Sequence, residues 1–205
     1  MRLSDKNDPR DARRLPAVFT AALLLLVLAA AVLAGCGGRG DPFAGRAKAD
    51  VSGYRSMKGV QDTRFVETTV KETARLMKDK RSFALFLGFE KCAYCDRMIR
   101  TLNEEAAEAG RCVGYIDTRK DPGWKNNTEI DDYNELVELF GKYMEKDDDG
   151  KAHLYTPAVY FIKNGRVTGV HDGVVPGYDD PEEKLTEEEK TMLANMLKAD
   201  FKSIG

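Results

Sequence analysis

Histidine is nearly missing from this chain of 205 residues: His153 and His171 are the only two. Cysteine is scarce as well, with Cys36, Cys92, Cys95 and Cys112 alone. Four cysteines are too few to staple a scaffold of this length. A structural zinc site needs four ligands, usually from two closely spaced pairs. Beyond Cys92 and Cys95 only Cys112, His153 and His171 remain, and none has ligand spacing. An excess of one charge is also lacking. Lys and Arg number 32 against 34 Asp and Glu, a net charge of -2, and no basic stripe interleaves with aromatics. That argues against a nucleic-acid partner. The acidic run Lys146-Asp147-Asp148-Asp149-Gly150-Lys151 lacks the alternating ligands of a calcium loop and reads as a solvated loop. What is present, 42% apolar and 32% charged residues, suits a soluble globular domain with appendages.

One long hydrophobic run does occur, near the N-terminus. Arg2, Lys6, Arg10, Arg13 and Arg14 precede Ala17–Ala34, in which Thr20 is the only polar side chain. A basic start, an apolar middle and small residues at the end make an export signal. Leu33-Ala34-Gly35-Cys36 resembles the bacterial lipobox. That resemblance implies loss of residues 1–35, acylation of Cys36, and a lipid anchor on the extracytoplasmic face of a bacterial cell membrane. The alternative is an uncleaved membrane anchor, since 18 apolar residues are at the lower limit for a spanning helix. Both place the rest of the chain outside the cytoplasm, on a membrane. Arg13-Arg14 hints at twin-arginine export, but the residues after it fit poorly. Removing residues 1–35 takes away five basic and three acidic side chains and leaves a charge of about -4. Attachment is then assigned to the lipid rather than to a polybasic patch. Residues 36–61, glycine-rich and without apolar periodicity, read as a flexible tether. Within it Arg39-Gly40-Asp41 spells an adhesion tripeptide by coincidence. Asn126-Asn127-Thr128 is a formal glycosylation site, discounted for a bacterial chain.

Residues 62–205 carry the folded pattern. Arg64–Glu67 suits a short strand. Thr69-x-x-Glu72 is a capping-box signature for a helix to about Lys80, with Val70, Thr73, Ala74 and Met77 inward. Ser82–Phe89 is a continuous apolar run, as in a strand buried on both faces. Cys92-Ala93-Tyr94-Cys95 follows it directly and opens a helix marked by Cys95, Met98, Ile99, Leu102 and Ala106, ended by Gly110. Cys112–Ile116 is a further strand, and Asp121-Pro122-Gly123 a turn. Tyr133, Leu136, Val137, Phe140, Tyr143 and Met144 mark a helix with Asp131 and Asp132 at its positive end. Ala158–Ile162 and Arg166–Val170 flank Asn164-Gly165, a strong hairpin signal. Thr186-x-x-Glu189 caps a last helix whose inner stripe is Met192, Leu193, Met196, Leu197 and Phe201.

A C-x-x-C between a buried strand and a helix places the first sulfur at the helix N-terminus. Unpaired N–H groups and the dipole there favour a thiolate. Such thiols ionise at roughly pH 3.5–7.5 in known examples. Cys92 is therefore the expected nucleophile, and Cys95, on the same face as Met98 and Ile99, the resolving thiol. Glu90 and Lys91 precede the pair with opposite influences. Cys112 reads as a buried inert thiol, His171 as structural or solvated, and His153 as a loop residue able to approach Cys92.

The order β-α-β-α-β-α-β-β-α, the C-x-x-C and Thr156-Pro157 together resemble the thioredoxin-like family. The resemblance implies an α/β fold with a central mixed sheet of four to five strands flanked by helices. It also implies a cis-proline at Pro157, opposite the redox pair, that exposes the backbone of Thr156 to a peptide. Thr156, Pro157, Ala93 and Tyr94 are then substrate-binding. No cofactor is needed beyond the two sulfurs. The partners are protein or peptide thiols and disulfides, with a membrane electron donor or acceptor. The closest subgroup is similar to bacteriocin transport accessory proteins. Thioredoxin carries a buried Asp six residues before its first Cys, whereas Phe86 stands there in this chain. Ala93-Tyr94 lacks the His of strongly oxidising relatives. Both departures point to a reductase or mild exchanger. The rival reading is a non-catalytic accessory module for a secreted peptide, with the pair as a structural disulfide.

Overall fold

A computed structural model of the chain describes residues 40–119 and 133–205. The signal segment, Cys36, the Asp121-Pro122-Gly123 turn, Asn126–Thr128, and Asp131 and Asp132 lie outside the described residues. Among the described residues the strands are β1 (Phe65–Glu67), β2 (Phe83–Gly88), β3 (Val113–Asp117), β4 (Glu145–Lys146), β5 (Ala152–His153), β6 (Ala158–Lys163) and β7 (Arg166–Asp172). The α-helices are α1 (Val70–Lys78), α2 (Ala93–Glu108), α3 (Tyr133–Phe140) and α4 (Glu187–Ile204).

Five strands form one sheet in the order β1-β3-β2-β6-β7. β1, β3 and β2 run parallel, β6 runs antiparallel to β2, and β7 antiparallel to β6. This is the thioredoxin-like arrangement, with β2 at its centre. All six residues of β2 are buried, as a continuous apolar run requires. Successive side chains alternate between faces. Phe83, Leu85 and Leu87 therefore join the core under α1 and α3. Ala84 and Phe86 join the core under α2 and α4, which also holds both cysteines of the pair. The β6–β7 turn adopts positive φ at Asn164 (50°) and Gly165 (76°), the conformation an Asn-Gly hairpin turn demands. β4 and β5, not expected from the sequence, form a small ribbon. Its turn is tied by Asp147, whose Oδ1 accepts from Asp149 and Lys151 N–H.

The flexible tether expected over residues 36–61 is overturned for residues 40–61. Phe43 and Tyr54 are fully buried, and Ala49, Val51 and Met57 nearly so. The Asp41 carboxylate accepts from Cys112 N–H at 2.7 Å. Ala49 N–H donates to the Phe65 carbonyl at 2.9 Å. The segment is a loop with one 3-10 turn at Arg55–Met57, so its buried residues follow neither the helical nor the strand period. The folded body thus includes residues 40–61 as well as those from 62 onward. The same segment reshapes the α1 cap. Thr69 accepts from Glu72 N–H at 3.1 Å, but the Glu72 carboxylate turns to the Arg46 guanidinium at 2.8 Å. The expected inner faces also shift. α1 buries Val70, Thr73 and Leu76, with Ala74 and Met77 half-buried. In α4, Leu193, Leu197, Phe201 and Ile204 are buried while Met192 is exposed.

Candidate redox site

Cys92 is the N-cap of α2, and its Sγ accepts from Cys95 N–H at 3.0 Å. A helix leaves its first N–H groups without internal partners; here one of them is spent on sulfur. Cys92 and Cys95 are joined by a disulfide with Cα atoms 5.1 Å apart. Cys92 keeps 7% exposure, whereas Cys95 has none. Cys92 is thus the more accessible of the two.

The Thr156–Pro157 peptide bond is cis. It delivers Thr156 to Cys92: the Thr156 hydroxyl donates toward Cys92 Sγ at 3.7 Å. The Thr156 carbonyl oxygen is 3.7 Å from the same sulfur, which as a disulfide has no proton to give it. Pro157 is held from behind by Gly173 N–H on its carbonyl at 3.0 Å. Ala93 and Tyr94 open α2, both half-buried. The Tyr94 hydroxyl donates to the Asp179 carbonyl at 2.5 Å, and its ring meets Tyr178 edge-on at 6.1 Å. The structure therefore brings Cys92, Cys95, Ala93, Tyr94, Thr156 and Pro157 to one end of the sheet. Cys36 lies outside the described residues.

Phe86 is fully buried, stacked on Tyr115 at 5.8 Å and 19°. A Cβ on Gly88 would lie 2.7 Å from Phe86 and 3.1 Å from Cys95 Sγ. Phe86 and the inner sulfur thus border the same space above Gly88. Beyond the ring the Tyr54 and Tyr115 hydroxyls meet at 3.1 Å. Burial pushes both phenols well above their ordinary value. Glu90 and Lys91 are exposed.

Several neighbours of the site were not expected from the sequence. Asp96, buried in the first turn of α2, accepts from Ser56 N–H at 2.9 Å and lies 3.5 Å from Arg55. Val174 and Val175 pack into the same core as the cysteines. The second was signalled by an apolar pair in a polar stretch, the first only by the loop now seen to be packed. His153 stands in β5 with its ring 4.6 Å from Tyr155. His171 is buried and bonded to Asp200 at 2.7 Å, which makes it structural. Cys112 is buried, and burial pushes its thiol up to about 11. Among the described residues, no three His, Cys, Asp or Glu side chains converge as metal ligands. Nor is any helix there long and apolar enough to cross a membrane.

No protein-family model and no curated protein matches the chain. Among solved structures it is similar to oxidized thioredoxin O2 from Arabidopsis thaliana, at 12% identity and a TM-score of 0.38, over 55% of this chain and 85% of that one. It is also similar to thioredoxin F from spinach chloroplast, at 15% identity and 0.35, over 54% and 82%. A third is thioredoxin from Aeropyrum pernix, at 18% identity and 0.36, over 54% and 77%. The strand order is that of a thioredoxin-like fold, with a C-x-x-C disulfide at the helix that follows its central strand.

Proposed function

We propose that this chain is a membrane-tethered, extracytoplasmic thiol–disulfide oxidoreductase. One observation carries the reading: the sulfur of Cys92, which keeps 7% exposure as a residue, caps α2 and lies 3.7 Å from the Thr156 hydroxyl, with Cys95 fully buried behind it. In the reduced state the Cys92 thiolate attacks a substrate disulfide. A Cys92–substrate bond forms, the substrate S–S bond breaks, and the leaving sulfur takes up a proton. Cys95 then gives up its proton and attacks Cys92 Sγ, which releases the second substrate thiol and leaves the Cys92–Cys95 disulfide. Two electrons have passed from protein to substrate. The reverse sequence oxidises substrate thiols. Thr156 presents backbone and hydroxyl to the incoming peptide, and Ala93 and Tyr94 form the facing rim.

With Phe86 in the strand and no His between the cysteines, the reading is a reductase or mild exchanger whose partners are protein or peptide thiols. The lipobox-like Leu33–Cys36 supports a lipid anchor at Cys36 on a bacterial membrane; intact mass should show loss of residues 1–35 and a diacylglyceryl addition. Likeness to bacteriocin transport accessory proteins is part of the same proposal. Phe86 also favours a second reading, an accessory module with a structural disulfide, because an apolar ring beside Cys95 offers no group to take its proton. Catalytic amounts of the protein should accelerate insulin reduction by a small thiol. No acceleration supports the accessory module instead.

A further inference from the structure

Gly40 and Asp41, the first described residues, lie at the end of the sheet remote from the sulfurs. Asp41 is bonded to Cys112 N–H just ahead of β3. Arg81, just ahead of β2, donates to the Gly40 carbonyl at 2.9 Å. The Phe43 ring meets Phe83, the first residue of β2, at 5.7 Å. Cys92 follows the opposite end of β2. Six residues of strand at about 3.3 Å each put roughly 20 Å between the two ends.

Charge is sorted along the same axis. Gly165 N–H donates to the Arg81 carbonyl at 2.9 Å, and Asn164 N–H to Ser82 Oγ at 3.0 Å. The hairpin turn is thereby fixed against the α1–β2 loop. Lys78, Lys80, Arg81, Lys163 and Arg166 gather at this end, all exposed. Asp79, the one acid in these two stretches, is taken by Arg75 at 3.3 Å. Among the described residues, Lys78, Lys80 and Arg166 pair with no carboxylate. Around the sulfurs the exposed charges are mainly acidic, with Glu90, Asp172, Asp179 and Asp180 against Lys91 and Arg119. Asp172 sits opposite Ala158, next to Pro157.

We infer that the basic end is a docking surface for anionic phospholipid, and that docking points Cys92 away from the bilayer. The inference rests on the membrane attachment proposed above, by acyl chain or by the apolar run, since both lead into the body at Gly40. Gly40 is four residue steps beyond Cys36, a covalent reach of at most about 14 Å. The basic end is thus held within one or two Debye lengths of the headgroups. Basic side chains held this close to anionic headgroups add to the attachment that the anchor supplies and fix the orientation of the body. Each Lys or Arg near an anionic surface strengthens attachment about fivefold. The net charge conceals this surface because opposite charges occupy opposite ends. A redox pair on the far side meets thiols and disulfides of extramembrane polypeptide, not a carrier dissolved in lipid.

The test uses the full chain, pair oxidised, in vesicles of phosphatidylcholine with or without phosphatidylglycerol. A nitroxide at D79C or at D179C is read against a nickel chelate carried on lipid headgroups. Relaxation should be several-fold stronger at position 79 than at 179 when phosphatidylglycerol is present. The contrast should shrink in high salt and in a K78E/K80E/R166E variant, whose patch is expected to bind at least a hundredfold more weakly. Equal relaxation at both positions, indifference to lipid charge, or failure to partition into vesicles overturns the inference. Insulin turnover and intact mass are read on the same preparations, so failure of the thiol chemistry or of Cys36 acylation is seen separately from failure of the docking.

Discussion

Phe43→Ala discriminates a packed N-terminal segment from a tether. The Phe43 side chain has no exposed surface. Its ring lies edge-on to Phe83 at 5.7 Å and against Gly114, where an added Cβ would stand 2.6 Å from Phe43 Cζ. An aromatic side chain buries about 150–250 Å². At about 25 cal/mol per Å², removing most of it forfeits several kcal/mol, and buried Phe→Ala changes cost about 3–5 kcal/mol. With a urea slope of about 2 kcal/mol/M, the midpoint followed by circular dichroism should fall by roughly 2 M. Gly114→Ala alone should cost about 1–3 kcal/mol through overpacking. Added to Phe43→Ala it should cost less, because the ring it strikes is gone, so the two changes couple with a favourable sign. A Phe43→Ala effect within about 0.5 kcal/mol, the range of surface substitutions, would refute the reasoning and restore the tether.

Gly165→Ala should cost at least about 2 kcal/mol, since φ is 76° and a Cβ there would overlap the Met77 carbonyl. Gly150→Ala, with φ 75° and open space around it, should cost only about 1 kcal/mol; urea midpoints that match would remove the steric argument. Stability should also depend on alkaline pH. Cys112 ionises near its ordinary pH when unfolded but is held up to about 11 when folded, so its contribution is whole below pH 8.5 and is lost as pH climbs toward 11. Tyr54, Tyr115 and Tyr160, all raised by burial, should steepen the loss above pH 10. Urea midpoints at pH 8 and 9.8 should differ less in Cys112→Ala than in the parent; equal differences would show that the Cys112 thiol is not buried as described.

Regular elements were legible because their periods are local. The apolar run of β2, the Asn164-Gly165 turn and the Thr186 cap each occupy a few consecutive residues. In the last, Thr186 and Glu189 exchange hydrogen bonds as a full capping box. The cysteine pair, Thr156 and Pro157 were legible as a motif, and the thioredoxin-like topology then followed from the element order. Residues 40–61 were not legible, because their buried side chains pack in a loop whose spacing is set by the sheet edge. The Glu72 carboxylate was misassigned for the same reason, its partner Arg46 being 26 residues away. Met192 shows a different limit. A helical stripe fixes a face to within about one residue, and α4 settles with Ile204 inward and Met192 outward.

The central claim is that Cys92 attacks and Cys95 resolves. Alkylation of the reduced, folded chain near neutral pH, mapped by peptide mass, tests it most directly, because the thiolate is the reactive form. Cys92 should label first, Cys95 only after unfolding, and Cys95→Ala should accumulate mixed disulfides on Cys92 when substrate is supplied. Faster labelling of Cys95 would reverse the two roles, and no labelling of either thiol in the folded chain would make the pair a structural disulfide.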